Sequence, residues 1–132
     1  MALTTMKGFA IMNIRESAEN YLETILMIKN RKGAVRSIDI ANDLGFSKPS
    51  VSVAMKNLRN NGYIEVDENG YITLLESGRE IAEKMYERHT TLSEWLISLG
   101  VDEKTAVDDA CRIEHIISAE SFEAIKKLIK EQ

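Results

Sequence analysis

The sequence predicts a mainly α-helical protein, a winged helix-turn-helix followed by three further helices. Three observations predict it. Two stretches with apolar residues at helical spacing meet at Gly45, and the second opens on the start signal Ser47-Lys48-Pro49. An Asn69-Gly70 pair then stands between two short runs of β-branched and aromatic residues, the strongest short-range signal for a hairpin. Beyond residue 76, apolar positions recur at helical spacing almost to the C-terminus.

In chain order, residues 14–30 form the first helix, with Ala18, Tyr21, Leu22, Ile25, Leu26 and Ile28 as its apolar stripe. Glu16, Glu19, Asn20, Glu23 and Thr24 lie largely off that stripe. Gly33 ends the helix, and Ala34-Val35-Arg36 reads as a short extended link. Ser37 is the expected N-cap of a short helix over 38–44, and Gly45 its C-terminal stop. Ser47 caps the next helix, and Pro49, the only proline, falls in its first turn, where a missing N–H costs nothing. Val51, Ala54, Met55 and Leu58 are its inner side. Ser47, Lys48, Ser50, Ser52 and Lys56 are small polar and basic groups suited to approach phosphates and base edges. Residues 63–67 and 71–74 make the hairpin, whose tip, Glu68-Asn69-Gly70, is acidic. Ser77 is expected to cap a helix over 78–99 that carries Ile81, Met85, Leu92, Trp95 and Leu96 inward and His89 mid-length. Asp102 caps the next helix and Ser118 a last amphipathic one, which has Phe122, Ile125, Leu128 and Ile129 on one face.

Composition narrows the class. The chain has 132 residues, 44 % hydrophobic and 29 % charged, and is long enough to bury a core without staples. A single cysteine excludes an intrachain disulfide and fits a reducing cytosol, so a cytoplasmic location is expected. Residues 1–12 lack the features of a signal peptide and read as a loose N-terminal arm; no run is long enough to span a membrane. The winged helix occupies 13–76 and the helical module 77–132. The net charge is −4, but residues 1–60 hold nine basic against five acidic side chains, leaving the remainder at −8. A basic front and an acidic back is what an oriented DNA binder shows, since phosphate contacts are local.

The chemistry-bearing stretch is Asp108-Asp109-Ala110-Cys111-Arg112-Ile113-Glu114-His115. Cys111, Glu114 and His115 fall at i, i+3 and i+4, so a thiolate, a carboxylate and an imidazole project from one helix face. Sulfur, oxygen and nitrogen donors together suit a divalent transition metal better than calcium or magnesium. The same spacing also arises where a half-buried cysteine merely sits beside a solvated Glu-His pair. A metallohydrolase uses comparable donors, yet the chain shows no nucleophile elbow, Gly-rich phosphate loop or separate general base. An enzyme is therefore not expected. The alternatives within regulation are a winged-helix protein answering to a non-metal ligand, or one that has lost metal sensing.

These elements resemble the family of metal-dependent transcriptional repressors that includes the diphtheria toxin repressor and the manganese transport regulators. The resemblance is carried by Glu19-Asn20-Tyr21-Leu22-Glu23-Thr24-Ile25, Ser47-x-Pro49-Ser50-Val51-Ser52, Arg88-His89, and Asp109 through His115, in that order. It covers nearly everything from Glu16 onward. It implies a DNA-binding domain followed by a helical metal-binding and dimerisation domain, acting as a homodimer on a near-palindromic double-stranded operator. It implies metal ligands at Asn20, Glu23, His89, Cys111, Glu114 and His115, and a DNA surface at Ser37, Ser47, Lys48, Pro49, Ser50, Ser52 and Lys56. The implied cofactor is Fe2+ or Mn2+, with Zn2+ or Co2+ binding in vitro; no membrane and no small organic substrate is implied. Asn20 stands where the family usually has Met or Asp, and Val107 and Ser93 replace potential ligands of an ancillary site. Cys111 matches the iron branch, and Glu23 the manganese branch.

Overall fold

The computed structural model describes residues 14–131; the segment read as a loose arm lies outside the described residues. The elements are α1 (Ile14–Lys32), α2 (Ser37–Leu44), α3 (Lys48–Asn60), β1 (Ile64–Val66), β2 (Ile72–Leu74), α4 (Glu76–Ser98), α5 (Glu103–Ile116) and α6 (Ala119–Lys130). They fall into two compact units, and the division lies inside α4, after Glu83.

The first unit is organised by one apolar core. Tyr21, Leu22, Ile25 and Ile28 of α1, Ile40 and Ala41 of α2, and Val51, Met55 and Leu58 of α3 all bury the stripe their spacing predicts. Gly45 takes a left-handed conformation (φ 71°) at the C-cap of α2, and its N–H closes on the carbonyl of Ala41 at 2.9 Å. Ser47 caps α3 by accepting from the Ser50 N–H at 3.3 Å, with Pro49 in the first turn. A short helix, a glycine turn and a capped second helix form the helix-turn-helix.

β1 and β2 pair antiparallel in the register Ile64↔Leu74, Glu65↔Thr73, Val66↔Ile72. Ile64 and Ile72 point inward while Glu65 and Thr73 face solvent, as alternation requires. The Val35 carbonyl accepts from the Ile72 N–H at 2.8 Å, and Arg36 bridges Tyr71, so the extended link joins the wing. In the wing turn only Gly70 (φ 86°) has a positive φ; Asn69 does not. Asp67 organises the loop, its Oδ1 accepting the N–H groups of Asn69 (2.8 Å) and Tyr71 (2.9 Å). The turn is thus a three-residue loop with a left-handed glycine rather than a two-residue one.

Two expected caps are corrected. Ser37 is the first residue of α2 and not its N-cap; Arg36 holds that position. The Asp39 carboxylate accepts the Arg36 N–H at 2.9 Å and the Lys32 ammonium at 2.6 Å, a charged acceptor that displaces a hydroxyl. The hydrogen bond from Lys32, and then that from the Arg36 backbone, hold the Asp39 carboxyl below the usual carboxylate range. Ser77 does not cap α4, which begins one residue earlier; its hydroxyl donates to the Gly62 carbonyl at 3.0 Å. Next to it, a Cβ on Gly78 would lie 2.2 Å from the Tyr63 carbonyl oxygen, so only glycine lets α4 start this close to the wing.

In the second unit Leu92, Ala110 and Phe122 form a smaller core, with Trp95, Ile113, Ile117 and Ile125 packed on it. Asp102 caps α5 through the Thr105 N–H and Ser118 caps α6 through the Ser121 N–H, both as the sequence predicts. Lys126 on α6 pairs with Glu87 on α4 at 2.9 Å and with Glu123 at 3.2 Å. These carboxylates raise the Lys126 pKa, Glu87 contributing most.

Candidate metal centre and nucleic-acid interface

The second unit brings four predicted metal ligands together. α4 supplies His89 and α5 supplies Cys111, Glu114 and His115. One donor atom each of His89, Cys111 and Glu114 lies within 4.8 Å of the others. His89 Nδ1 is 3.8 Å from Cys111 Sγ and 3.6 Å from Glu114 Oε2, while Glu114 Oε1 is 3.6 Å from His115 Nε2. The burial inverts the unliganded expectation of a half-buried cysteine beside a solvated pair. Cys111 is exposed, whereas Glu114 is 0 % and His115 3 % exposed. A carboxylate fully withdrawn from water and set between two imidazoles carries a desolvation cost that a cation would offset. A soft thiolate reachable from solvent, an imidazole and a hard carboxylate together fit a divalent transition ion.

Arg88, the neighbour of His89, has a distinct task. Its guanidinium is buried and stacks 5.6 Å from the Phe122 ring centroid. Nη1 donates to the carbonyls of Glu114 (2.9 Å) and Ile117 (2.8 Å). Those carbonyls close the C-terminal end of α5, Glu114 in its last turn and Ile117 at its C-cap, where helix geometry leaves carbonyls without partners. Arg88 thereby fixes the backbone that carries Glu114 and His115. No local signal marks this role, since its partners lie 26 and 29 residues away.

The other predicted ligands, Asn20 and Glu23, stand on α1 in the first unit, Asn20 half-buried and Glu23 buried. Val107 is half-buried, and Ser93, also buried, spends its hydroxyl on the Thr90 carbonyl at 3.2 Å.

For the nucleic-acid face, Ser47, Lys48, Pro49, Ser50, Ser52 and Lys56 are all exposed, and Ser37 is half-buried. The charged residues of α3 are Lys48, Lys56 and Arg59, with no acid among them. The Ser47 hydroxyl is engaged locally, donating to Ser50 Oγ at 2.8 Å while it caps the helix. With about 100° per residue, the core side of α3 (Val51, Met55, Leu58) leaves Pro49, Val53, Lys56 and Asn60 directly opposite. Val53, 61 % exposed, was not singled out by residue chemistry. Its position becomes visible only once the buried stripe is known.

Comparison with known proteins finds a family model for each part of the chain. Residues 13–72 match the N-terminal DNA-binding domain of the iron dependent repressors, and residues 75–131 match their metal binding and dimerisation domain. An HTH-type transcriptional regulator of Methanocaldococcus jannaschii is 37 % identical over 84 % of this chain and 90 % of its own length. The transcriptional regulator MntR of Escherichia coli is 33 % identical over 85 % of this chain and 72 % of its own. A manganese-dependent transcriptional repressor solved in complex with manganese superposes with a TM-score of 0.78 at 27 % identity, over 86 % of this chain. This chain spans about half the length of that structure (52 %). The chain belongs to the iron-dependent repressor family, whose members are DNA-binding transcriptional regulators rather than enzymes.

Proposed function

We propose that the protein is a metal-activated repressor of metal homeostasis that binds a near-palindromic DNA operator as a homodimer. The observation that carries this reading is the cluster of His89, Cys111 and Glu114, drawn from two helices inside the domain matched to metal binding. His89, Cys111, Glu114 and His115 would hold the ion, and Asn20 and Glu23 on α1 are the donors that the family resemblance adds. Fe2+ and Mn2+ are the candidate ions: the thiolate of Cys111 favours iron, and the carboxylates of Glu23 and Glu114 suit manganese. A bound cation supplies the positive charge that the buried Glu114 carboxylate requires.

The work of the chain follows from its own residues. Arg88 keeps the last turn of α5 in place, so Glu114 and His115 are presented without reorganisation. Two copies, paired through the second domain, present two α3 helices to successive major grooves about 34 Å apart. Lys48 and Lys56 meet phosphates, and Ser37, Ser47, Pro49, Ser50 and Ser52 line the approach. Metal and operator then favour one arrangement, and each tightens the binding of the other by the same factor.

The test is retention on random-sequence duplex, first with chelator and then anaerobically with Fe2+, Mn2+ or Zn2+, for wild type and Glu114→Ala. Metal is expected to strengthen wild-type binding at least tenfold and to leave Glu114→Ala unchanged. Equal binding in every condition would remove metal activation from the reading.

A further inference from the structure

We infer that Val53 reads thymine in the operator through the C5-methyl group, making it a specificity-determining residue of α3. The inference rests on the proposed DNA-binding role of that helix. Val53 is 61 % exposed, in a helix whose other exposed side chains are mostly polar or basic. It stands at the centre of the face opposite the buried Val51, Met55 and Leu58. When the second helix of a helix-turn-helix enters the major groove, the centre of its outward face approaches the base edges most closely. Lys56, three residues on, shares that face, and Ser52 stands at its flank.

A valine at that point can neither donate nor accept a hydrogen bond. Facing the amino group of adenine or cytosine, or the acceptors of guanine, it would strip water from a polar edge and return nothing. The methyl group of thymine is the one feature of the major groove that an isopropyl side chain can reward. A β-branched residue also has few χ1 rotamers in a helix, so the contact loses little side-chain entropy. The read-out is therefore apolar and sits among charged contacts that position but do not discriminate.

The experiment selects duplexes from a random-sequence library with wild type in Mn2+, then replaces thymine by deoxyuridine at each enriched position. Wild type is expected to enrich a thymine once per half-site and to lose about fourfold affinity for each methyl removed there, the transfer value of one buried carbon. Val53→Ala is expected to bind the selected duplex while losing most of the thymine-to-uracil difference, and Val53→Ser to lose all of it. Enrichment without a symmetric thymine, or equal loss on uracil substitution in wild type and Val53→Ala, would overturn the inference and leave DNA binding intact. A library that shows no enrichment at all would overturn both it and the operator-binding reading on which it rests.

Discussion

The two units are held together by different means. In the first, thirteen buried apolar residues from α1, α2, α3, the start of α4, the wing and the link at Val35 form one continuous core. In the second, five buried apolar residues (Met85, Leu92, Ala106, Ala110 and Phe122), three of them in one cluster, share the interior with Arg88, Ser93, Glu114 and His115. Apolar burial stabilises in proportion to area and needs no partner of exact geometry. Buried charge stabilises only when every group is matched, and becomes a liability when one is removed. The first unit is thus a predominantly apolar scaffold with one buried carboxylate, Glu23, whereas the interior of the second rests more heavily on matched charge.

The largest effect expected from this contrast is Ile40→Ala in α2. Ile40 is fully buried, and its truncation is expected to cost about 2–5 kcal/mol. Urea denaturation should show the same loss in chelator and in Mn2+. A loss that metal reverses would break the contrast, because the scaffold would then not be independent. Next is Arg88→Ala, which leaves the carbonyls of Glu114 and Ile117 without their donor and is expected to cost about 2–3 kcal/mol. Here the metal response should fall as well, with Arg88→Lys recovering part of both. Titration of stability against Mn2+ separates the two effects.

The smallest is a pH effect confined to the first unit. The folded pKa of Asp39 is depressed, so its contribution is fully present above the ordinary value of 3.8 and is lost as pH falls through the depressed one. Asp39→Asn is expected to lower the urea midpoint at neutral pH and to flatten its decline in acid. An unchanged acid limb would assign the decline to other carboxylates.

The contrast also explains what could be read in the sequence. Gly45, Ser47, Asp102 and Ser118 act within three or four residues of themselves, and their roles follow from spacing alone. Ser77 misled because its hydroxyl goes to Gly62, fifteen residues back, and Ser37 because Asp39 accepts the Arg36 N–H and so starts the helix one residue earlier. The spacing of Cys111, Glu114 and His115 identified the donors but not their burial, since a glutamate on an amphipathic helix reads as solvated. Arg88 lay beyond any local rule. Val53 failed to stand out for the opposite reason: a lone exposed valine is ordinary, and only the orientation of α3 gives it meaning.

The acidic wing turn shapes the response of DNA binding to ionic strength. Asp67 spends its carboxylate on two backbone N–H groups, so the tip is held in shape by a negative charge, with Glu68 beside it. A tip of that sign repels the phosphodiester chain and releases no condensed counterions on approach. The acidic tip itself adds nothing to the fall of log affinity with log salt, which is left to basic side chains such as Lys48 and Lys56 of α3. Discrimination between operators then persists at salt concentrations that strip more basic wings from DNA.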